Sequence, residues 1–189
     1  MDNILKVVSD AMVSLEEHYM LEYGIKPDYT MNAPTTGKQI KAAFNKAKLT
    51  SLFPVYSDTS NGCIFGNRCN LAYRFVHDID HALHYDQGKG TTATKDEKFL
   101  NCLLCNRIYC IVKAKHGECV ALEAYFVLYA DTVGQTINYA KTGDFVKDQA
   151  KFVVDLLERC KGYYFAKHGQ VSLARQIMQA YNIDCGVTA

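Results

Sequence analysis

The chain has 189 residues, a formal net charge of +1, and a composition that is 49% hydrophobic and 22% charged. This length and composition predict a single domain with a full hydrophobic core. The balanced charge argues against a protein that coats nucleic acid. The lack of a signal-peptide pattern, or of a run of about 18 apolar residues, argues against export and membrane insertion. We therefore expect a cytoplasmic protein with no membrane or nucleic-acid partner, whose eight cysteines are reduced.

The first third of the chain predicts helices connected by irregular segments. Apolar residues at helical spacing indicate the helices, and prolines with Asn, Asp and Thr indicate the connections. The helices cover 3–23 and 37–48, and the irregular segments cover the loop 26–35 and the stretch 50–65. A short extended piece is expected at 52–56. We expect 1–62 to form a looser unit that packs on a core bundle over 63–184.

The rest of the chain predicts a series of long helices, because all three prolines lie within the first 54 residues. Glycine-containing turns separate the helices, and no sustained alternation of polar and apolar residues indicates a strand. The predicted helices cover 66–85, 94–114, 118–141, 144–167 and 170–182. With the N-terminal helices they predict an all-α, single-domain fold, a compact bundle of about six or seven helices.

The helix predicted over 66–85 carries the densest group of metal-binding and proton-transferring side chains. On a helical wheel its apolar residues share one face and its polar residues share the other. The polar face contains Asn70, Tyr73, Arg74, His77, Asp80, His81 and His84, with Asp78 at its edge. His77 and His81 are four residues apart, so both imidazoles can reach one metal ion.

The composition of this polar face leaves three interpretations open. It contains neither Lys nor Glu, the residues that usually cover a solvent-exposed helix face. It is a metal or catalytic site, a buried hydrogen-bond network without metal, or an exposed face. We favour the first interpretation, because His, Asp, Arg, Asn and Tyr are the residue types that ligate metals or form buried networks.

Residues 77–81, His-Asp-Ile-Asp-His, resemble the central motif of the HD-domain metal-dependent phosphohydrolases, an all-α superfamily. In that family the His-Asp pair binds a divalent metal ion together with an earlier His and a later Asp, which often follows Ala on a helix. Residues 129–131, Tyr-Ala-Asp, are similar to this later element. The second histidine matches that of the family's cyclic-nucleotide phosphodiesterase branch. The metal ligands that the resemblance implies are His77, Asp78, His81 and Asp131.

These residues lead to the hypothesis of a metal-dependent hydrolase that acts on a phosphoester, such as a nucleotide. A divalent ion (Mn, Mg, Zn or Fe) would activate a water molecule and polarise the phosphoryl group. Asp80 or His84 would transfer the proton. Arg74, counted with the catalytic residues, and Lys89 would neutralise the substrate, and Gln135 would also contact it.

The alternative hypothesis is a non-enzymatic interaction protein. The spacing Arg-x-x-His-Asp-x-x-His, followed by Asp131-x-x-Gly134-Gln135, is similar to that of small proteins of tailed phages. In this alternative a phage protein binds a host protein as an inhibitor or adaptor, and the His/Asp cluster is a structural hydrogen-bond network. The tyrosines and the basic helix over 37–48 would then form the binding surface.

Overall fold

The computed structural model describes residues 4–58 and 63–164. Its elements are α1 (Ile4–Tyr23), β1 (Lys26–Thr30), α2 (Gly37–Thr50), β2 (Leu52–Tyr56), α3 (Asn67–His84), a 3₁₀ turn (Tyr85–Gln87), α4 (Thr94–His116), α5 (Glu118–Asp131), α6 (Val133–Thr142) and α7 (Gln149–Tyr164). The prediction of a mostly helical fold is confirmed. The helix predicted over 170–182 lies outside the described residues.

The structure adds a small parallel sheet to the predicted helices. β1 pairs with β2 along its full length, beginning with Lys26 opposite Leu52, and α2 connects the two strands. The loop predicted over 26–35 is therefore wrong where β1 forms. Pro27 and Asp28 disfavour strands in general, but each strand of a two-stranded sheet has a free edge, where a missing N–H donor is tolerated.

β2 anchors this sheet on the helices. Phe53 and Val55 are fully buried. The ring of Phe53 packs edge to face between Phe44 of α2 and Phe75 of α3, at centroid distances of 6.5 and 6.2 Å. The extended piece expected at 52–56 thus forms as β2, and its buried face fixes α2 against α3.

The start of α2 lies against the segment that follows α3. Gly37 approaches Gly90 so closely that a Cβ added to Gly37 would lie 2.4 Å from the Gly90 carbonyl oxygen. Lys41 Nζ donates a hydrogen bond to the Ala82 carbonyl oxygen, at 3.2 Å. A cation is favourable at this position because the last carbonyl groups of a helix carry partial negative charge.

The helix predicted over 118–141 is interrupted at Thr132. α5 ends at Asp131, and Thr132 has φ −97° and ψ −68°. The Thr132 hydroxyl donates a hydrogen bond to the Leu128 carbonyl oxygen at 2.7 Å, a contact that often bends helices. The sequence analysis missed this break because the apolar periodicity continues across it.

The hydrophobic core is continuous from α1 to α7. Val8 and Met12 of α1 are fully buried, so α1 belongs to this core. The apolar face of α3 also belongs to the core, because Phe75 and Ile79 are fully buried. Within the described residues, no helix is both long and apolar enough to cross a membrane.

The polar face of α3 is buried too. His77, Asp80 and His81 are 8%, 0% and 2% exposed. The interpretation of this face as solvent-exposed is therefore excluded. Polar groups that are removed from water need partners, so the contacts of these three side chains define what the helix can do.

Candidate metal centre

Three side chains from two helices converge at the start of α4, and we call them the three-donor group. His77 and His81 lie one turn apart on α3, and Glu97 lies in the first turn of α4. The Glu97 carboxylate is 2.9 Å from His77 Nε2 and 3.2 Å from His81 Nε2, and the two Nε2 atoms are 3.2 Å apart. Ligand atoms about 2.1 Å from one ion lie about 3.0–3.4 Å from one another, so this group can hold a metal ion.

The orientation of His81 is set by the loop after α3. His81 Nδ1 donates a hydrogen bond to the Gly90 carbonyl oxygen at 3.1 Å. A Cβ on Gly90 would lie 2.0 Å from the His81 carbonyl oxygen and 2.5 Å from the Tyr85 nitrogen, so only glycine fits here. A backbone acceptor on Nδ1 leaves the Nε2 lone pair directed at the other two donors, as is typical of metal-binding histidines.

His77 is held by ring stacking and keeps one unpaired nitrogen. Its imidazole stacks on Tyr73 at a centroid distance of 5.2 Å, and the Tyr73 hydroxyl donates to Asn101 Oδ1 at 2.9 Å. Among the buried side-chain nitrogens and oxygens of the described residues, His77 Nδ1 alone has no hydrogen-bond partner. Such a group costs about 1–3 kcal/mol, and its retention is typical of a functional site.

The electrostatics of the three-donor group favour one cation among the three side chains. Burial opposes ionisation of Glu97, but hydrogen bonds from His77 and His81 hold its pKa well below the usual range. Burial also opposes protonation of His81, but the Glu97 carboxylate raises the pKa of this imidazole. Both shifts favour positive charge between the carboxylate and the imidazoles, where a metal ion would lie.

Asp78, a predicted metal ligand, lies near the three-donor group without belonging to it. Burial raises the pKa of Asp78 to about 6, although His77 and His81 act in the opposite direction. The structure brings Glu97, and not Asp78, to the position where a carboxylate meets both imidazoles.

Asp131, the other predicted carboxylate ligand, also lies outside the three-donor group. Its Oδ1 accepts a hydrogen bond from Gln135 Nε2 at 3.0 Å, so the predicted ligand and the predicted substrate contact meet. Burial raises the pKa of Asp131 to about 7, although the Gln135 amide acts in the opposite direction.

Asp80 and His84, the predicted proton-transfer groups, take part in other contacts. Asp80 accepts hydrogen bonds from the Tyr19 hydroxyl at 2.9 Å and from Arg107 Nη1 at 2.5 Å, and we call these three side chains the Asp80 network. His84 Nδ1 donates to the Asp80 carbonyl oxygen at 2.9 Å, and its ring contacts Phe99. The Asp80 network joins α1, α3 and α4 and has the composition of a structural ion pair.

Arg74 and Lys89, the predicted phosphate contacts, contact different elements of the structure. Arg74 Nη1 donates to the carbonyl oxygens of Tyr56 and Asp58, at 2.8 and 2.6 Å, and so holds the end of β2. Lys89 is exposed and lies 5.0 Å from the centroid of the Phe99 ring.

Glu97 is the member of the three-donor group that the sequence did not predict. It lies in the acidic first turn of α4, where a carboxylate is favoured by the helix dipole whatever its role. The contacts between α3 and α4 run in opposite directions along the two helices, with Tyr73 against Asn101 and His77 against Glu97. A helical hairpin about the glycine turn between α3 and α4 would therefore have placed Glu97 opposite the histidines.

A cavity of about 650 Å³ adjoins the three-donor group, and Glu97 is the donor that lines it. Its volume is that of a small-molecule site. Its polar lining comes from four helices and includes Asn70, Tyr73, Arg74, Glu97, Asn101, Asp131, Thr132, Gln135 and Thr136. A ligand in this cavity would thus contact the predicted site residues Arg74, Asp131 and Gln135, and also Glu97, which was not predicted.

Comparison with known proteins gives no family for this chain. No family model, curated protein or solved structure matches it. The resemblance of residues 77–81 to the HD-domain motif stays a prediction. Function is therefore inferred from the three-donor group and the cavity beside it.

Proposed function

We propose that this chain is a metal-dependent hydrolase that holds one divalent ion with His77, His81 and Glu97 and takes its substrate into the adjoining cavity. The convergence of these three donors is the observation that carries the proposal. An ion held there would act as a Lewis acid and lower the pKa of a bound water molecule towards neutrality.

The count of lone pairs favours a metal ion over a hydrogen-bond network. Neutral His81 carries its proton on Nδ1, which donates to Gly90, so its Nε2 presents a lone pair to Glu97 Oε1 at 3.2 Å. If His77 Nε2 donates to Glu97, the contact between His81 and Glu97 still lacks a proton. A divalent cation accepts the lone pairs of all three donors.

The donor types favour zinc among the expected ions Mn, Mg, Zn and Fe. Imidazole suits zinc and iron, whereas magnesium prefers an all-oxygen environment. Two histidines and one glutamate are the protein ligands of several zinc hydrolases, in which a further position is left for water. The same set of ligands also binds non-haem iron. The identity of the bound metal should therefore be determined before activity is assayed.

Phosphoesters are the proposed substrate class, because of the resemblance of residues 77–81 to the HD-domain motif. In the cavity, Asp131 is suited to proton transfer because burial raises its pKa to about 7. Arg74 lines the same cavity and contributes a positive charge, although its guanidinium also binds the end of β2. A phosphorylated substrate would supply the negative charge that complements Arg74 and the ion.

We place this reaction in the cytoplasm. In the described part of the chain no cysteine forms a disulfide, and these cysteines are Cys63, Cys69, Cys102, Cys105, Cys110 and Cys119. Reduced thiols are typical of cytosolic proteins. This chemistry supports the proposed location.

Metal analysis tests the metal site directly. Protein purified without chelator should contain about one equivalent of metal per chain, and zinc added to the metal-free protein should bind. His81→Ala and Glu97→Gln should each weaken zinc binding more than a hundredfold, since each removes a ligand. His18→Ala is the matched control because its side chain is 67% exposed on α1. Metal-free wild type that binds no zinc would overturn the proposal.

Hydrolysis assays test the reaction. Bis(p-nitrophenyl) phosphate and p-nitrophenyl phosphate should be cleaved by the zinc-loaded protein, and EDTA should remove this activity. Asp131→Asn should lower kcat about a hundredfold with little change in zinc affinity, because the variant cannot transfer a proton. Cleavage that persists in His81→Ala would show that the activity comes from elsewhere.

The exposed apolar residues around the sheet support the second candidate, an interaction protein that binds a host protein. Leu49 at the end of α2 and Leu52 at the start of β2 lie three residues apart and are 87% and 52% exposed. Exposed apolar residues that lie together often mark a protein interface. A stoichiometric partner that binds wild type and His77→Ala equally, but not Leu49→Glu, would favour this function over catalysis.

A further inference from the structure

The cavity contains polar groups that lie outside the three-donor group. Asn70 from α3 and Asp131 from α5 both line it, and they are 9% and 7% exposed. Asp131 accepts one hydrogen bond, from Gln135. Within the described residues, the side-chain amide of Asn70 has no partner. The amide atoms of Asn70 stay accessible at the cavity wall, so both side chains can pair with a ligand in the cavity.

The chemistry of these groups defines what they recognise. The Asn70 side chain presents an N–H donor beside a carbonyl acceptor, and Asp131 keeps one carboxylate oxygen beyond its bond to Gln135. We infer that the cavity binds a small neutral molecule through an amide edge, in which an N–H group lies beside a carbonyl group. Asn70 pairs with both groups of that edge, and Asp131 accepts a further N–H.

The other walls of the cavity fit a ligand of this kind. Met12, Phe65 and Leu128 line it with apolar surface, on which a flat amide or ring packs. Two carboxylates, Glu97 and Asp131, line it as well, and they disfavour an anionic group at the Asn70 end. A neutral hydrogen-bonding edge beside apolar walls is the usual arrangement of a small-molecule site.

This ligand site is separate from the three-donor group. Asn70 precedes His77 by seven residues on α3, which places it about 10 Å away along the helix axis. Binding of an amide edge at Asn70 therefore needs no metal ion. The edge occurs in the cyclic amides of nucleobases and in primary amides, and the two sources are distinguished by separate probes.

Isothermal titration calorimetry in EDTA tests this inference. The probes are uridine, a cyclic amide, N-acetylglycinamide, which ends in a primary amide, and glucose, which offers hydroxyl groups alone. At least one amide probe should bind and glucose should not, and the amide that binds identifies the source. Asn70→Leu and Asp131→Asn should each raise the Kd of the bound amide about tenfold or more. Asp155→Asn on α7, which does not line the cavity, is the matched control.

Several outcomes would overturn the inference. Glucose that binds as tightly as the amides would show hydroxyl recognition, and failure of both amide probes at millimolar concentration would show that no amide site exists. Asp131→Asn is near-isosteric and keeps the shape of the site, so it serves as the test if Asn70→Leu fails to fold. Unchanged amide affinity in Asp131→Asn would then overturn the inference. His81→Ala should bind the amide like wild type, so failure of the metal proposal and failure of this one are distinguishable.

Discussion

The three-donor group and the Asp80 network share α3 and differ in how completely their groups are paired. In the network, Asp80 accepts hydrogen bonds from Tyr19 and Arg107, and the carboxylate and guanidinium charges cancel. In the three-donor group, the Nε2 atoms of His77 and His81 lie 3.2 Å apart, and His77 Nδ1 has no partner. Both clusters are buried. Incomplete pairing, and not burial of polar residues, therefore marks the candidate site.

The largest effect that tests this comparison is expected from Arg107→Ala. Removal of the guanidinium leaves the fully buried Asp80 carboxylate with Tyr19 alone. The free energy of unfolding should fall by about 3 kcal/mol, the lower end of the range for broken buried pairs, since Arg107 is 29% exposed. Urea denaturation measures this change. Zinc affinity should stay unchanged, and a loss as large as that of His81→Ala would mean that the two clusters are one unit.

The next effect is stabilisation by the metal. Zinc at a hundred times its Kd should raise the free energy of unfolding by about 2.7 kcal/mol, because the ion binds the folded chain alone. Glu97→Gln should remove most of this gain, whereas Glu22→Gln, an exposed control on α1, should keep it. Urea denaturation with and without zinc gives both values. Equal stabilisation of the two variants would place the zinc outside the three-donor group.

Gly90→Ala tests the loop that orients His81. The new Cβ would collide with the α3 backbone, so the free energy of unfolding should fall by about 1–3 kcal/mol. Zinc affinity should fall about ten- to hundredfold, because the acceptor of His81 Nδ1 moves. Gly88→Ala is the control, since Gly88 has φ +69° but open space around its Cα. Its strain should cost about 1 kcal/mol without a change in zinc affinity.

The smallest expected effect is the pH dependence of the metal-free protein. The lowered pKa of Glu97 means that its stabilising contribution is present above about pH 4.5 and is lost as the pH falls further. The raised pKa of His81 means that its contribution is present below about pH 6.5 and is lost as the pH rises through the folded-state pKa. Wild type should therefore exceed Glu97→Gln in stability most strongly between these values, by about 1 kcal/mol.

With zinc bound, the stability advantage of wild type over Glu97→Gln should instead increase as the pH rises, because the ion competes with protons for the same donors. Urea denaturation at pH 5.5 and pH 8, with and without zinc, measures both effects. If the stability difference between wild type and Glu97→Gln increased towards pH 8 in EDTA, this would contradict the raised pKa of His81.

Local periodicity predicted what depends on one helix at a time. The spacing of His77 and His81 and the buried apolar face of α3 follow from the helical repeat, and the structure contains both. The partners of that face could not be predicted in the same way, because they come from other elements. Asp80 meets Arg107 across 27 residues, and Glu97 reaches the histidines from the next helix.

The two errors of local structure have a similar cause. β1 contains Pro27 and Asp28, so its strand conformation depends on pairing with β2 and not on its own residues. The break at Thr132 depends on a hydrogen bond from one hydroxyl, which the apolar pattern of the helix does not report. In both places a tertiary or side-chain contact overrides the local preference.

The contact between Gly37 and Gly90 joins the sheet unit to the candidate metal site. α2 begins at Gly37, and the carbonyl group of Gly90 orients His81. A protein that bound the exposed side chains around the sheet and shifted α2 would therefore change zinc affinity. By thermodynamic reciprocity, zinc would change the affinity of that protein by the same factor. The contact between Gly37 and Gly90 would thus couple metal binding to the binding of a partner protein.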